Sequence, residues 1–181
     1  MGHALDPPGM SAHALTARAA AVAEPAALAQ RALDVAYRAA LGVVGDPHAA
    51  QDVAQEVAIK ALTHAARLRD PACADAWLYR VATRAALREV RRSAGRRRAE
   101  QRAHAVPPAP APSGELTELW SVLAGLPPRQ RAVLTLRYVF DLSDRDIAAA
   151  VGCREATVRS HLFHGRATLR ARLDPHGDAT S

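Results

Sequence analysis

The chain of 181 residues has the composition of a globular protein, with 49% apolar and 23% charged residues. Two cysteines cannot build a disulfide framework, and no run of 18 uncharged apolar residues predicts a transmembrane helix. These features exclude disulfide-rich and membrane-inserted classes and favour a reduced, cytoplasmic protein. The net charge of +6 is concentrated in residues 91–114, which contain six arginines and one glutamate. Such a block fits a polyanionic partner, although a solvated linker has the same composition.

Apolar residues recur at helical spacing from about residue 26, and no strand-like alternation occurs. A stretch without periodicity, rich in arginine and then proline, interrupts this pattern and predicts a flexible linker. The predicted fold is therefore all-α, with two small helical domains joined by that linker. In chain order we expect a disordered tail over residues 1–25, a helical domain over 26–92, the linker over 93–114, a second helical domain over 115–174 and a tail over 175–181.

The helix predicted over residues 47–68 carries a compact acidic face. Its members lie at positions i, i+3, i+4 and i+7 and therefore share one side of the helix: Asp52, Gln55, Glu56 and Ile59. This face fits a docking surface for a basic partner helix. It also fits a plain solvated face on which Glu56 and Lys60 form an ion pair.

The third predicted helix, beginning near residue 75, carries one continuous basic stripe: Trp77, Arg80, Arg84, Arg88 and Arg91. Four guanidinium groups on one face fit a phosphate backbone, and a tryptophan offers a stacking surface for an unpaired base. The alternative is a core tryptophan beside solvated arginines. The alignment of the arginines favours nucleic acid.

Residues 126–173 have the pattern of a helix-turn-helix. Ser143 is a helix cap, Gly152 is a turn residue, and a longer helix begins near residue 154. Polar and basic residues occupy the end of this helix that enters a major groove: Arg154, Thr157, Arg159, Ser160, His161 and His164. The two histidines also have a spacing that suits part of a metal site. No further ligand cluster accompanies them, so no metal is predicted.

Together these motifs resemble the bacterial RNA polymerase sigma factors, and within them the extracytoplasmic-function (ECF) group of the sigma-70 family. The resemblance covers roughly residues 28–92 and 116–173. It rests on the segments Asp-Val-Ala-Gln-Glu-Val at 52–57, Ala-Trp-Leu-Tyr-Arg-Val-Ala at 76–82, Leu-Pro-Pro-Arg-Gln-Arg at 126–131 and Thr-Val-Arg-Ser at 157–160. The sequence departs from the family at His161 and His164, where arginine is frequent, and at Gly165, where alanine is usual.

The resemblance implies a role for each surface. Asp52, Gln55, Glu56 and Ile59 would bind the clamp helices of the largest subunit of core RNA polymerase. Trp77, Arg80, Arg84, Arg88 and Arg91 would face the minus-ten promoter element. Arg154, Thr157, Arg159, Ser160, His161 and His164 would read the minus-thirty-five element. A groove including Leu134 and Tyr138 would hold the polymerase flap, and an anti-sigma factor would be a further partner.

The expected function is that of an alternative sigma factor, which binds core polymerase, recognises both promoter elements and promotes DNA melting. We expect no catalytic residue and no cofactor, because the sequence contains no phosphate-binding glycine loop, no paired-cysteine motif and no His-Glu-x-x-His site. Two alternatives remain: a stand-alone helix-turn-helix regulator that binds duplex DNA, and a helical adaptor between proteins. The acidic face and the tryptophan stripe favour the sigma factor.

Overall fold

The computed structural model describes residues 12–64, 71–102, 123 and 125–173, and within these ranges it is built from α-helices without strands. The helices are α1 (Ala12–Val44), α2 (Pro47–Thr63), α3 (Pro71–Arg102), α4 (Pro128–Tyr138), α5 (Asp144–Val151) and α6 (Glu155–Leu173). This confirms the all-α fold class. None of the helices in the described ranges is long and apolar enough to cross a membrane.

The helices extend past two of the expected domain boundaries. The expected tail is helical from Ala12, because an alanine-rich segment has a high helix propensity even where apolar periodicity is absent. The expected linker is helical as far as Arg102, because exposed arginine and alanine sustain a helix without an apolar stripe. Glu89 supports this extension by accepting hydrogen bonds from Ser93 and Arg96 at 2.9 and 2.8 Å. The remaining tail and linker residues, 1–11, 103–114 and 175–181, lie outside the described residues.

The first module, formed by α1, α2 and α3, has an alanine-rich core. Asp46 caps α2 by accepting a hydrogen bond from the backbone N–H of Ala49 at 2.7 Å, and a proline follows at the first helical position. Small side chains let the helices approach closely, and Leu78 is the largest of the fully buried side chains in this module. The buried alanines of this core are Ala32, Ala36, Ala39, Ala40, Ala50, Ala54, Ala58, Ala61, Ala82, Ala85 and Ala86.

The second module, formed by α4, α5 and α6, is a helix-turn-helix preceded by one further helix. Ser143 caps α5 by accepting a hydrogen bond from the backbone N–H of Asp146. Gly152 ends α5 in the left-handed conformation, with φ of 76°, which glycine adopts without steric cost. A Cβ on Gly165 would lie 3.0 Å from Leu134 Cδ1, so the glycine allows α6 to lie against α4. The predicted cap and turn are therefore confirmed.

The two modules are packed against each other. Helix α1 contacts α4, and α3 contacts both α4 and α5. The hydrophobic core is continuous across this contact, because residues of both modules belong to one buried cluster. The described part of the chain is therefore one packed unit.

Candidate nucleic-acid interface

The acidic face of α2 is formed as predicted. Asp52, Gln55 and Ile59 are exposed, and the Ile59 side chain keeps 63% of its surface accessible. Glu56 is half-buried and accepts hydrogen bonds from Lys60 and from Arg88, the latter at 3.3 Å. The hydrogen bond from Lys60, together with the charges of both partners, holds the pKa of Glu56 below its usual range. An exposed isoleucine beside carboxylates is the chemistry of a docking surface for a basic helix.

The stripe on α3 is exposed along most of its length. Arg80, Arg84 and Arg91 are exposed, whereas Arg88 is half-buried beside Glu56. Trp77 is half-buried, and its ring lies 5.5 Å from the ring of His64, which follows α2. The tryptophan is thus partly covered by the end of α2, while three guanidinium groups remain accessible to an anion.

The predicted groove-reading residues lie on the first half of α6, except for Arg154, which directly precedes the helix. Arg154, Arg159, Ser160 and His164 are exposed, and Thr157 and His161 are half-buried. Burial, then the positive charge of Arg129 and the neighbouring His164, lower the pKa of His161. The free backbone N–H groups at the start of α6 add to the positive potential of this end.

The sequence did not reveal how Arg159 is anchored. Asp144, in the first turn of α5, pairs with Arg137 of α4 and lies 3.8 Å from Arg159 of α6. This carboxylate therefore connects all three helices of the module. Spacing cannot predict such a contact, because the three residues belong to three different helices.

The two residues of the expected flap-binding groove differ in exposure. Leu134 is 3% exposed and packs inside the module, so the prediction that it lines a surface groove is wrong. Tyr138 is 62% exposed, and its hydroxyl accepts a hydrogen bond from Arg166 Nε at 2.6 Å. Among the described residues, no group of three metal-ligating side chains occurs, so His161 and His164 have no third ligand there.

Two family models match the chain. The model described as Sigma-70 region 2 matches residues 28–97, and the model described as Sigma-70, region 4 matches residues 116–169. Their order follows the two modules of the fold and defines the class as a sigma-70 factor. A stand-alone helix-turn-helix regulator does not explain the match of the first module, so that alternative is set aside.

Proteins of similar sequence and structure indicate which sigma-70 factors this chain resembles. The chain is 30% identical to the ECF RNA polymerase sigma factor SigE of Mycolicibacterium smegmatis, over 97% of this chain and 72% of that protein. It is 32% identical to the RNA polymerase sigma-E factor of Streptomyces coelicolor, over 77% and 80% of the two chains. A crystal structure of the sigma factor RpoE with the anti-sigma factor NepR from Bartonella quintana has the same fold, with a TM-score of 0.65 and 23% identity over 81% of this chain and 94% of that one.

The chain belongs to the ECF sigma factors of the sigma-70 family. It is an alternative sigma factor, which binds DNA and directs RNA polymerase in the initiation of transcription.

Proposed function

We propose that three exposed surfaces have separate roles in the initiation of transcription. The acidic face of α2 docks core polymerase, the arginine stripe of α3 contacts the minus-ten element, and the first half of α6 reads the minus-thirty-five element. The observation that carries this proposal is the exposure of Ile59, Arg84 and Arg159, each of which lies on a different helix.

Docking depends on the α2 face because carboxylates and one apolar side chain complement a basic amphipathic helix. We expect Asp52→Ala combined with Ile59→Ala to weaken retention of core polymerase by about tenfold or more, in line with losses at the centre of an interface. Asp34→Ala is the matched control, since Asp34 is an exposed carboxylate on α1. Equal retention of both variants on immobilised core polymerase would show that the α2 face does not dock the enzyme.

DNA recognition combines phosphate contacts with base reading. Arginines on α3 bind phosphates and hold the separated strands, and the cost of unstacking is offset by contacts to the unpaired bases. Arg154, Thr157, Arg159, Ser160, His161 and His164 contribute the contacts to duplex bases and phosphates. Two modules that bind two elements on one DNA gain affinity over either alone. Each step is either binding or distortion of DNA. The mechanism therefore requires no catalytic residue and no cofactor in this chain.

The promoter can be found without knowing it in advance. Core polymerase with the full chain would transcribe pooled genomic fragments, and sequencing of RNA 5′ ends would reveal any shared upstream elements. We expect two elements upstream of the starts, with the Arg84→Gln variant losing most transcripts and Arg98→Gln, an exposed control on α3, keeping them. Absence of chain-dependent transcripts would contradict the proposal.

We also infer that a protein inhibitor holds this chain in the cell, because the Bartonella quintana sigma factor of the same fold was crystallised with an anti-sigma factor. Such a partner would act where polymerase acts, in the cytoplasm. Capture from the native lysate by the full chain, in competition with added core polymerase, tests this. A captured protein that core polymerase does not displace would argue against an inhibitor of polymerase binding.

A further inference from the structure

One arginine of the α3 stripe has a contact that sets it apart from the others. Arg88 is half-buried, and its guanidinium donates a hydrogen bond to Glu56 Oε1 on α2 across 3.3 Å. Both side chains keep 40% of their surface accessible. The other arginines of the stripe are exposed, and within the described part of the chain they form no ion pair: Arg80, Arg84 and Arg91. Arg88 therefore reaches the acidic face of α2.

Lys60 contacts the same carboxylate oxygen from the next turn of α2. Its ammonium group pairs with Glu56 Oε1, and 41% of the Lys60 side chain is accessible. Two cations thus meet at one oxygen of Glu56, while no donor of the described residues bonds the other oxygen, Oε2. A carboxylate accepts several hydrogen bonds, so Oε2 can bind a donor of another molecule.

These contacts change the charge of the docking face. Glu56 lies four positions after Asp52 and three before Ile59, so it occupies the middle of the face. Asp52 and Glu56 are negative, whereas Lys60 and Arg88 bring two positive charges beside them. The surface therefore has an acidic end at Asp52, an apolar residue at Ile59 and a cationic end at Lys60 and Arg88.

The order of these charges defines the chemistry of a matching helix. Asp52 and Lys60 are eight residues apart on α2, which corresponds to about 12 Å along the axis at roughly 1.5 Å per residue. A partner helix that complements both ends carries a cation near Asp52 and a carboxylate about 12 Å away. A partner helix that is basic throughout would be repelled at the end formed by Lys60 and Arg88.

We propose that Arg88 belongs to the polymerase-docking surface and not to the DNA-binding stripe, and that this surface selects a polymerase helix with a basic and an acidic segment. Arg88 is a positioning residue for the Glu56 carboxylate and, together with Lys60, binds the acidic segment. The inference rests on the proposed function, because it adds a residue and a partner chemistry to the α2 face. The three exposed arginines of the stripe keep the contact with DNA.

The first test separates the two surfaces by single arginine substitutions in the full chain. For Arg88→Gln, Arg84→Gln and Arg92→Gln, we would measure retention on immobilised core polymerase and the salt dependence of binding to a labelled mixed-sequence duplex. Arg92→Gln is the matched control for retention, since Arg92 is an exposed arginine on α3 with no ion pair to α2 among the described residues. A urea titration of each variant checks that it is folded.

The two stripe positions should give opposite results. Arg88→Gln should weaken retention of core polymerase about threefold, in the range of a partly exposed ion pair, and leave the salt slope unchanged. Arg84→Gln should retain polymerase as the wild type does and flatten the slope of log affinity against log salt by about 0.9, the value for one phosphate. Arg88→Lys keeps the positive charge and should restore most of the retention.

The second test uses the sign of the charge. Arg88→Glu replaces an attraction to the acidic segment by a repulsion of similar size, so retention should fall about tenfold below that of the wild type. A partner that is basic throughout would instead bind Arg88→Glu more tightly than the wild type, which would overturn the proposal. Because the new carboxylate also repels Glu56, the substitution is repeated in the Glu56→Gln background, where the fall should persist.

The positioning role is tested by a double-mutant cycle. If Arg88 acts partly through Glu56, the losses of retention for Glu56→Gln and Arg88→Gln should combine to less than their product. Losses that multiply fully would show that Arg88 does not position the carboxylate.

A failure of this inference is distinguishable from a failure of the proposed function. If Arg88→Gln flattens the salt slope as Arg84→Gln does and leaves retention unchanged, Arg88 is a DNA contact and the inference is overturned. The docking role of α2 would still stand, provided that Asp52→Ala with Ile59→Ala weakens retention. If that double variant also binds core polymerase fully, the α2 face is not the docking surface and the proposed function falls.

Discussion

His161 lies on α6, the helix proposed to read DNA, and it is the position at which the effect of charge on DNA binding can be tested most directly. Burial and the positive neighbours Arg129 and His164 lower the pKa of its ring, so the ring is neutral at pH 8 and gains charge only as the pH falls. His161→Arg replaces this titrating group by a permanent cation. We expect the variant to bind duplex DNA more tightly at pH 8, with a steeper salt dependence.

The expected size follows from one additional phosphate contact. A single neutralised phosphate steepens the slope of log affinity against log salt by about 0.9, so a rise from about 50 to 200 mM salt costs roughly 3.5-fold more affinity. The assay is anisotropy titration of a labelled mixed-sequence duplex at several salt concentrations. His48→Arg adds the same charge at an exposed position on α2 and is the matched control.

The pH dependence supplies a second readout. As the pH falls from 8 through the lowered pKa of His161, the wild-type slope should approach that of His161→Arg, because the ring becomes protonated and binds phosphate. The slope of His161→Arg should change less over the same range. The reasoning is refuted if His161→Arg and His48→Arg have the same slope at pH 8, since His161 would then not face the DNA.

Three further outcomes concern stability. Ser143→Ala removes the side-chain acceptor for the backbone N–H of Asp146, and should cost about 1 kcal/mol of unfolding free energy in a urea titration; no loss would show that the cap is dispensable. Leu78→Ala should cost about 2–5 kcal/mol because the side chain is fully buried, whereas Ile59→Ala should cost under about 1 kcal/mol; equal losses would contradict the burial of one and the exposure of the other. The pKa of Glu56 is lower in the folded protein than in the unfolded chain. The contribution of the ionised carboxylate to the free energy of unfolding is therefore complete above about pH 4.5, and it is lost as the pH falls through the pKa of the folded protein. Glu56→Gln should therefore reduce the loss of stability on acidification, by under about 1 kcal/mol because solvent screens a side chain that keeps 40% of its surface accessible. An unchanged pH profile would show that the ion pairs contribute nothing.

Features governed by neighbouring residues were predictable from the sequence. The Ser143 cap and the Gly152 turn depend on side chains within a few positions of the helix ends, and both occur where the pattern indicated. The exposure of Ile59 also followed from helical spacing. These features need no knowledge of the rest of the fold.

Features that join distant segments could not be predicted. Phe140 meets Arg38 and Tyr79 across long stretches of chain, and nothing in its local pattern distinguishes this contact from ordinary burial. The pair of Arg88 with Glu56 connects the stripe to the acidic face, which the spacing had placed on separate helices. The helical part of the expected linker was missed because an exposed helix has no apolar period to detect.

The alanine-rich core of the first module limits the ways in which its three helices can lose their packing. Alanine has no side-chain rotamers, so its burial costs no rotamer entropy, and the order of this core resides in the positions of the helices. A core of leucines can lose its packing by rotamer exchange while the helices stay in place, whereas the buried side chains of this core that have rotamers are few, chiefly four valines, Leu78 and Leu87. Most of any loosening must therefore move whole helices apart, which would also separate Trp77 from His64. The environment of that tryptophan and the docking of the three helices should therefore be lost in a single step on heating.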